Sequence, residues 1–296
     1  MTPMSTNRAD LLLTGLAPAI WGTTYLVTTR WLPQGYPLTV SLVRALPAGL
    51  LLLAFVGELP KGIWLFRVLV LGALNFSIFW WLLFVSAYRL PGGVAATLIS
   101  LQPVFVIVLS RLLLGAPLRW QAVAATLGGV LGVALLVIRA NAALDTVGVV
   151  AGLAGAMAMA LGTVLAKRWQ PPVSALTFTA WQLAAGGVVL APFALTMEPR
   201  LPWPTLDNAV GFVWLGLFGA ALSYILWFRG LARLGPQAVS PLVLLSPVTA
   251  VLIGWLLADE TFTPLQLAGI ALVLISVWQS QRRGPAAAAN GGAPRG

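Results

Sequence analysis

Cysteine and histidine are both absent from this sequence, and aspartate and glutamate together supply only 7 of its 296 residues. Without cysteine there is no disulfide and no thiolate metal site. Without histidine the usual metal ligand and the usual proton shuttle near neutral pH are gone as well. No cofactor and no metal is therefore expected. Charge of either sign is scarce at 8%, where a soluble domain carries about 25%. What fills the space is hydrocarbon: 59% of the chain is hydrophobic. It falls into apolar runs of about 20 residues, each long enough to cross the ~30 Å core of a bilayer. The composition thus specifies an all-α polytopic membrane protein with almost no room for a soluble domain.

Breaks at Pro, Gly and charged residues divide the chain into ten expected spans near 11–30, 36–57, 64–88, 92–114, 119–138, 146–166, 174–195, 209–232, 236–257 and 263–281. The short connections make successive helices antiparallel neighbours. A secretory signal is the competing reading of the N-terminus, since Ala17-Pro18-Ala19 loosely resembles a cleavage site, but the apolar run continues past it. The net charge of +10 is spread over segment ends, which argues against a nucleic-acid partner. With the N-terminus inside, Arg8, Lys61, Arg67, Arg111, Arg119, Lys167, Arg168, Arg229, Arg233, Arg282, Arg283 and Arg295 fall on the cytoplasmic side, against Arg30, Arg89, Arg139 and Arg200 outside. The positive-inside rule then puts both termini in the cytoplasm. The small, polar stretch 284–296 is expected to be a disordered tail.

The chain also repeats itself. An offset of 138 residues lays "TRWLP" (29–33) on "KRWQP" (167–171), and Gly49 on Gly187. An offset of 144 lays Phe84 on Phe228, Arg89-Leu90 on Arg233-Leu234, and Pro103-Val104 on Pro247-Val248. Residues 1–140 and 141–283 therefore read as two five-helix repeats. An odd number of spans per repeat inverts the second copy, a signature of secondary transporters with a central site between the halves.

Polar groups inside the spans are few and informative. Pro103 in "LISLQPVFV" and Pro247 in "LLSPVTAV" have no N–H, so the carbonyls of Ile99 and Val243 lose their helical partners. Gln102 and Ser246 immediately precede these prolines. Irregular backbone at membrane depth is tolerated where it lines a cavity or is buried in protein. The plainer alternative is a pair of proline kinks with Gln102 bonded to a neighbouring helix. Of 13 tryptophans, Trp31, Trp64, Trp120, Trp169, Trp203 and Trp278 lie near span ends, as an interfacial belt requires. Trp21, Phe79, Trp80, Trp81, Tyr224 and Trp227 lie deeper, with Asn75 and Ser223 as polar points on the same helices. These aromatics either pack helices together or surround a solute with an apolar body and polar ends. Arg44 is the one cation clearly inside a span. It is expected to brace a gate through backbone carbonyls or to meet a substrate carboxylate, whereas Arg229 is close enough to a span end to snorkel. No Asp or Glu lies deep in any span.

The sequence resembles the drug/metabolite transporter superfamily, in its ten-helix EamA-type branch. The likeness rests on "AIWGTTYLVTTRW" (19–31), on "LVRALPAGLLL" (42–52), and on the doubled pattern from "LGALNFSIFWW" (71–81) and "LGLFGAALSYILWF" (215–228) onwards. The resemblance implies an exporter of the bacterial inner membrane, with helices 1, 3, 4, 6, 8 and 9 around a cavity and helices 5 and 10 at the periphery. The aromatic centre is most similar to members that export aromatic amino acids. In the second copy, "MALGT" (159–163) replaces the aromatic "WGTTY", which thins that wall.

The expectation is therefore a monomeric exporter of aromatic and other neutral amino acids, working by alternating access in the lipid bilayer. Its substrate site would draw on Gln102, Ser246, Trp21, Asn75, Phe79, Trp80, Tyr224, Trp227, Ile99 and Val243, between the helix breaks at Pro103 and Pro247. A multidrug or quaternary-cation exporter is the alternative. Aromatic cages suit such cations, but the usual deep carboxylate is missing. A membrane-embedded enzyme is disfavoured, since there is no nucleophile–base pair, metal set or paired acid to do chemistry.

Overall fold

The computed structural model describes residues 3–90, 98–137, 145–258 and 263–281, and every regular element among them is a helix. The first stretch of the fourth expected span (92–97), Arg139, Asp259, Glu260, Arg282, Arg283, Arg295 and the expected tail 284–296 lie outside the described residues. We number the helices α1 (Pro3–Trp31), α2 (Pro37–Val56), α3 (Ile63–Arg89), α4 (Gln102–Leu114), α5 (Trp120–Val137), α6 (Thr146–Trp169), α7 (Ala175–Met197), α8 (Leu206–Leu234), α9 (236–258) and α10 (Pro264–Gln281). Six of these, α1, α2, α3, α6, α7 and α8, are long and apolar enough to cross a membrane. Three more, α4, α5 and α10, are shorter apolar helices. Large side chains exposed on the outside are hydrocarbon: Leu12, Phe55, Leu112 and Leu195 are each more than two-thirds exposed. Such a surface suits lipid, not water.

Local chemistry sets the helix ends. Gly57 and Gly115 take the left-handed conformation (φ 64° and 66°) that closes α2 and α4. Asp145 and Ser174 cap α6 and α7 by accepting from Gly148 N and Thr177 N. Thr205 and Asn208 form a reciprocal capping box at the start of α8. The start of α2 is capped from far away: both carboxylate oxygens of Glu198 accept from the backbone, Leu38 N at 2.7 Å and Thr39 N at 2.8 Å. That bond ties the end of α7 to the start of α2.

Three helices are irregular. α3 widens to a π-helix over Ala73–Ile78, and α8 does the same over Trp214–Leu222. α9 begins as α-helix (Pro236–Val239), tightens to a 3₁₀ segment (Ser240–Leu244) and resumes at Leu245. The proline reading needs correction at Pro103, which does not bend a running helix. The chain turns at residues 100–101, with Leu101 N donating to Leu98 O at 3.2 Å, and α4 starts at Gln102 with Pro103 in its first turn. A proline there forfeits no helical bond. Pro247 likewise sits in the first turn of Leu245–Ala258. Both prolines are buried.

The packing follows a pattern. α2 lies along α7, and α5 along α10. α3 packs on α6 and α7, while α8 packs on α1 and α2; α4 packs on α6, while α9 packs on α1. Exchanging each helix for the one five places along maps these pairings onto one another. Close approach of α1 and α9 depends on Gly22. A Cβ there would stand 2.5 Å from the Ser246 carbonyl oxygen.

Candidate functional site

A cavity of about 260 Å³ lies where α1, α2, α3, α6, α8 and α9 meet the turn before α4. α1 lines it with Trp21, Thr24 and Thr28, spaced three and four residues apart on one helical face. α3 contributes two adjoining rows at four-residue spacing, Phe79–Leu83–Ala87 and Trp80–Phe84–Tyr88. Ile99 and Ser100 come from the turn before α4, and Val243, Ser246 and Pro247 from the break in α9. Arg44, Met159 and Tyr224 complete the wall, and Gln34 lies at its rim. Gln34 and Tyr88 are exposed, so the cavity reaches the surface at the end where α1 gives way to α2. No described residue of α5 or α10 takes part.

A string of hydrogen bonds fixes the floor. Trp21 Nε1 donates to Ser223 Oγ at 2.8 Å, and Ser223 Oγ donates to Gly219 O at 2.9 Å. Arg44 Nη2 donates to the same carbonyl at 2.7 Å. Gly219 belongs to the π-helical stretch of α8, where the wider turn leaves its oxygen able to accept both bonds. The Arg44 guanidinium lies over the Trp80 ring at 4.3 Å, a cation–π contact inside a site where Arg44 is only 3% exposed. Trp21 and Tyr224 rings meet at 4.9 Å, and Tyr224 and Phe76 at 4.6 Å. Three polar atoms in this wall are buried without a partner among the described residues: Arg44 Nε, Thr24 Oγ1 and Thr28 Oγ1. Buried polar groups normally find partners, so these three stand out as unused hydrogen-bonding capacity in the wall.

Of the expected site residues, Trp21, Phe79, Trp80, Tyr224, Ile99, Val243, Ser246, Pro247 and Arg44 line the cavity. Gln102, Asn75, Trp227 and Pro103 do not. Asn75 Nδ2 donates to Gln182 Oε1 at 2.8 Å between α3 and α7, under Gly162 of α6, where any Cβ would collide with the Asn75 amide. Gln102 is wholly buried, and neither amide atom has a partner among the described residues. Trp227 is 1% exposed and backs Trp21, ring to ring at 5.1 Å. Trp81, next to the buried Trp80, points outward and is 40% exposed.

The sequence reading missed Thr24, Thr28, Leu83, Phe84, Ala87, Tyr88, Ser100 and Met159 of the wall. The signal for the α1 and α3 residues was the helical spacing from Trp21 and from Phe79 and Trp80, and for Met159 it was the 138-residue offset from Trp21. Charges also fall differently from expectation. Arg229 does not reach outward alone: it pairs with Asp10 at 2.7 Å, and Arg233 adds a second contact at 3.2 Å. Asp10 is itself buried in α1, beside the last turns of α8. No described acid enters the cavity wall.

Comparison with known proteins agrees with this architecture. The profile of the EamA-like transporter family matches the chain twice, over residues 9–138 and 146–280. Protein PecM of Dickeya dadantii (strain 3937) is 46% identical over 260 residues, covering 87% of each chain. The inner membrane transporter YedA of Escherichia coli (strain K12) is 27% identical over 265 residues, covering 87% of this chain and 86% of YedA. A solved crystal structure superposes with a TM-score of 0.79 at 20% identity, covering 92% of this chain and 96% of that one. That last likeness is one of fold alone.

Proposed function

Since the chain belongs to the EamA-like transporter family, we propose that it exports aromatic and other neutral amino acids across the bacterial inner membrane. In this reading ten helices form two inverted five-helix copies, with both termini cytoplasmic, and the cavity opens alternately to either side. The observation that carries it is an aromatic-walled cavity whose only charged lining group among the described residues is the Arg44 guanidinium.

The chemistry follows from the wall. A substrate ring would stack against Trp21, Phe79, Trp80 and Tyr224, where burying an aromatic side chain of about 150–250 Å² is worth roughly 4–6 kcal/mol before ordering costs. Arg44 already spends one N–H on Gly219 and has Nε free, so a carboxylate can add a charge-assisted bond without displacing the first. The ammonium would face Ser246, Ser100 and the backbone at Ile99 and Val243. A guanidinium in the wall and no acid beside it among the described residues disfavour a quaternary cation.

Counterflow in liposomes of purified protein tests the assignment. Labelled phenylalanine should exchange with no pH difference imposed, leucine more slowly, and a quaternary ammonium dye should not compete. Exchange of the labelled dye, with no exchange of phenylalanine, would overturn the substrate class.

A further inference from the structure

A second cavity, also of about 260 Å³, lies between the α6–α7 connection and the last turns of α8. Lys167, Gln170, Phe178, Phe228 and Ala232 line it. Gln170 and Ala232 are exposed, so it opens at the end of the molecule opposite to Gln34 and Tyr88. Its wall is the sequence counterpart of the first cavity's mouth. The 138-residue offset carries Thr28 to Ala166, and the 144-residue offset carries Phe84, Ala87 and Tyr88 to Phe228, Leu231 and Ala232; the first of each pair lines one cavity and the second lines the other.

The two spaces are separated by very little. Tyr224 lines the first and Phe228 the second, one turn apart on α8, which is a rise of about 6 Å. Their rings lie 5.9 Å apart, and Phe228 meets Phe178 edge-on at 5.2 Å. Among the described residues each cavity is also lined by a single cation. In the second it is Lys167, whose ammonium donates to the Ala232 carbonyl oxygen at 2.9 Å. An ammonium has three N–H donors, and bonds them more strongly to an anion than to a neutral carbonyl. A volume a little under the ~300 Å³ at which drug-sized pockets begin suits a solute of amino-acid size.

We propose that this second cavity is a solute site in its own right, taking the carboxylate of an aromatic solute on Lys167 with its ring against Phe178 and Phe228. It is the loading site of the route that continues past Tyr224 to Arg44. The proposal rests on reading the chain as a carrier of carboxylate-bearing aromatic solutes, and commits further to an anionic head: a ring without the carboxylate is not held.

The natural absence of cysteine makes the test clean. Ala232→Cys places one thiol at the second cavity, and Ala87→Cys places one at the first. Alkylation by a membrane-impermeant maleimide is followed in vesicles of each orientation, with 3-phenylpropanoate, with the neutral 3-phenylpropanol, and with phenylalanine. We expect 3-phenylpropanoate to slow alkylation of Ala232→Cys several-fold and the alcohol to leave it unchanged. Adding Lys167→Gln should remove that protection, while Lys167→Arg should retain it and thereby show that the fold is intact. Equal protection by the alcohol, or protection that survives Lys167→Gln, overturns the site. If phenylalanine protects Ala87→Cys and nothing protects Ala232→Cys, the second site fails alone. If neither thiol is protected by any solute, the carrier reading fails with it.

Discussion

Two helix crossings near the middle of the molecule occupy corresponding places and do different work. At one, Arg44 of α2 donates to Gly219 O in the π-helical part of α8. At the other, Gln182 of α7 accepts from Asn75 in the π-helical part of α3. The 138-residue offset carries Arg44 to Gln182, and the 144-residue offset carries Asn75 to Gly219. Both pairs are buried, and both join a regular helix to a widened one. The first faces the cavity, is charged and keeps Nε unsatisfied among the described residues. The second is neutral, lies off the cavity wall and is closed over by Gly162. A pair of crossings laid out alike has left one open to the cavity and the other sealed. The difference lies in which polar group was placed there, not in how the helices cross.

The sharpest way to break the comparison is to make the crossings chemically alike. Arg44→Gln keeps a donor for Gly219 but removes the charge and the cation–π contact with Trp80. A charge-assisted hydrogen bond is worth about 1.5–3 kcal/mol, so affinity for phenylalanine should fall roughly ten- to hundred-fold. Arg44→Lys should recover only part, because an ammonium cannot stack flat on Trp80 while bonding two partners. The readout is half-saturation in liposome counterflow. Unchanged half-saturation in Arg44→Gln would make this crossing a seal too.

The opposite crossing should respond in stability. Gln182→Leu strands the buried Asn75 amide, at a cost of about 1–2 kcal/mol. The melting temperature in detergent should drop, while half-saturation per folded carrier stays put. Asn75→Leu combined with Gln182→Leu should recover part of the loss, since no polar group is then left unpaired. Loss of phenylalanine binding with no thermal effect would show that the neutral crossing also touches solute.

What could be read from the sequence divides along the same line. The six longest apolar spans, most of the deep aromatics and the burial of Arg44 are matters of residue type and spacing, and they carried over to the structure. Trp21, Phe79, Trp80 and Tyr224 all reach the cavity wall. Where a helix departs from 3.6 residues per turn, type and spacing stop predicting direction. Asn75 lies within one π stretch, and its amide goes to α7 instead of the cavity. Gln102 follows a turn at 100–101, and the side chains that reach the cavity there are Ile99 and Ser100. Trp80 and Trp81 are adjacent and alike, yet one is 1% and the other 40% exposed, so only the register of α3 separates wall from lipid face. Gln182 carried the clearest unused signal, for the offset that reveals the repeat also lands it on Arg44.

A smaller effect probes how tightly the charged crossing is built. A Cβ on Gly219 would lie 3.3 Å from Arg44 Nη2, closer than comfortable contact but against the far end of a flexible side chain. Gly219→Ala should therefore move the guanidinium by a few tenths of an ångström and raise half-saturation two- to threefold, a change of about 0.5 kcal/mol. Thermal stability should hardly alter, since alanine suits a helix better than glycine by about 1 kcal/mol. A collapse of stability would mean that α2, and not the arginine side chain, takes up the strain.

The smallest expected effect is the most discriminating, because its two parts have opposite signs. Thr28 Oγ1 is buried in the cavity wall without a partner among the described residues. Its counterpart under the 138-residue offset, Ala166, has no hydroxyl and lines the second cavity. An unsatisfied buried hydroxyl is a standing cost of about 1 kcal/mol, which a protein retains when the group is needed by something that comes and goes. Thr28→Val keeps the shape and deletes the hydroxyl. The empty protein should then melt slightly higher, while half-saturation for phenylalanine rises about twofold at most because a solute bond is gone. Melting curves in detergent without solute, set beside counterflow in liposomes, measure both parts on the same preparation. A lower melting temperature with unchanged half-saturation would mean that the hydroxyl serves the helix, bonded back to the carbonyl of Thr24, and not the solute. Opposite movement of the two quantities would place Thr28 with Arg44 among the groups held ready for a ligand.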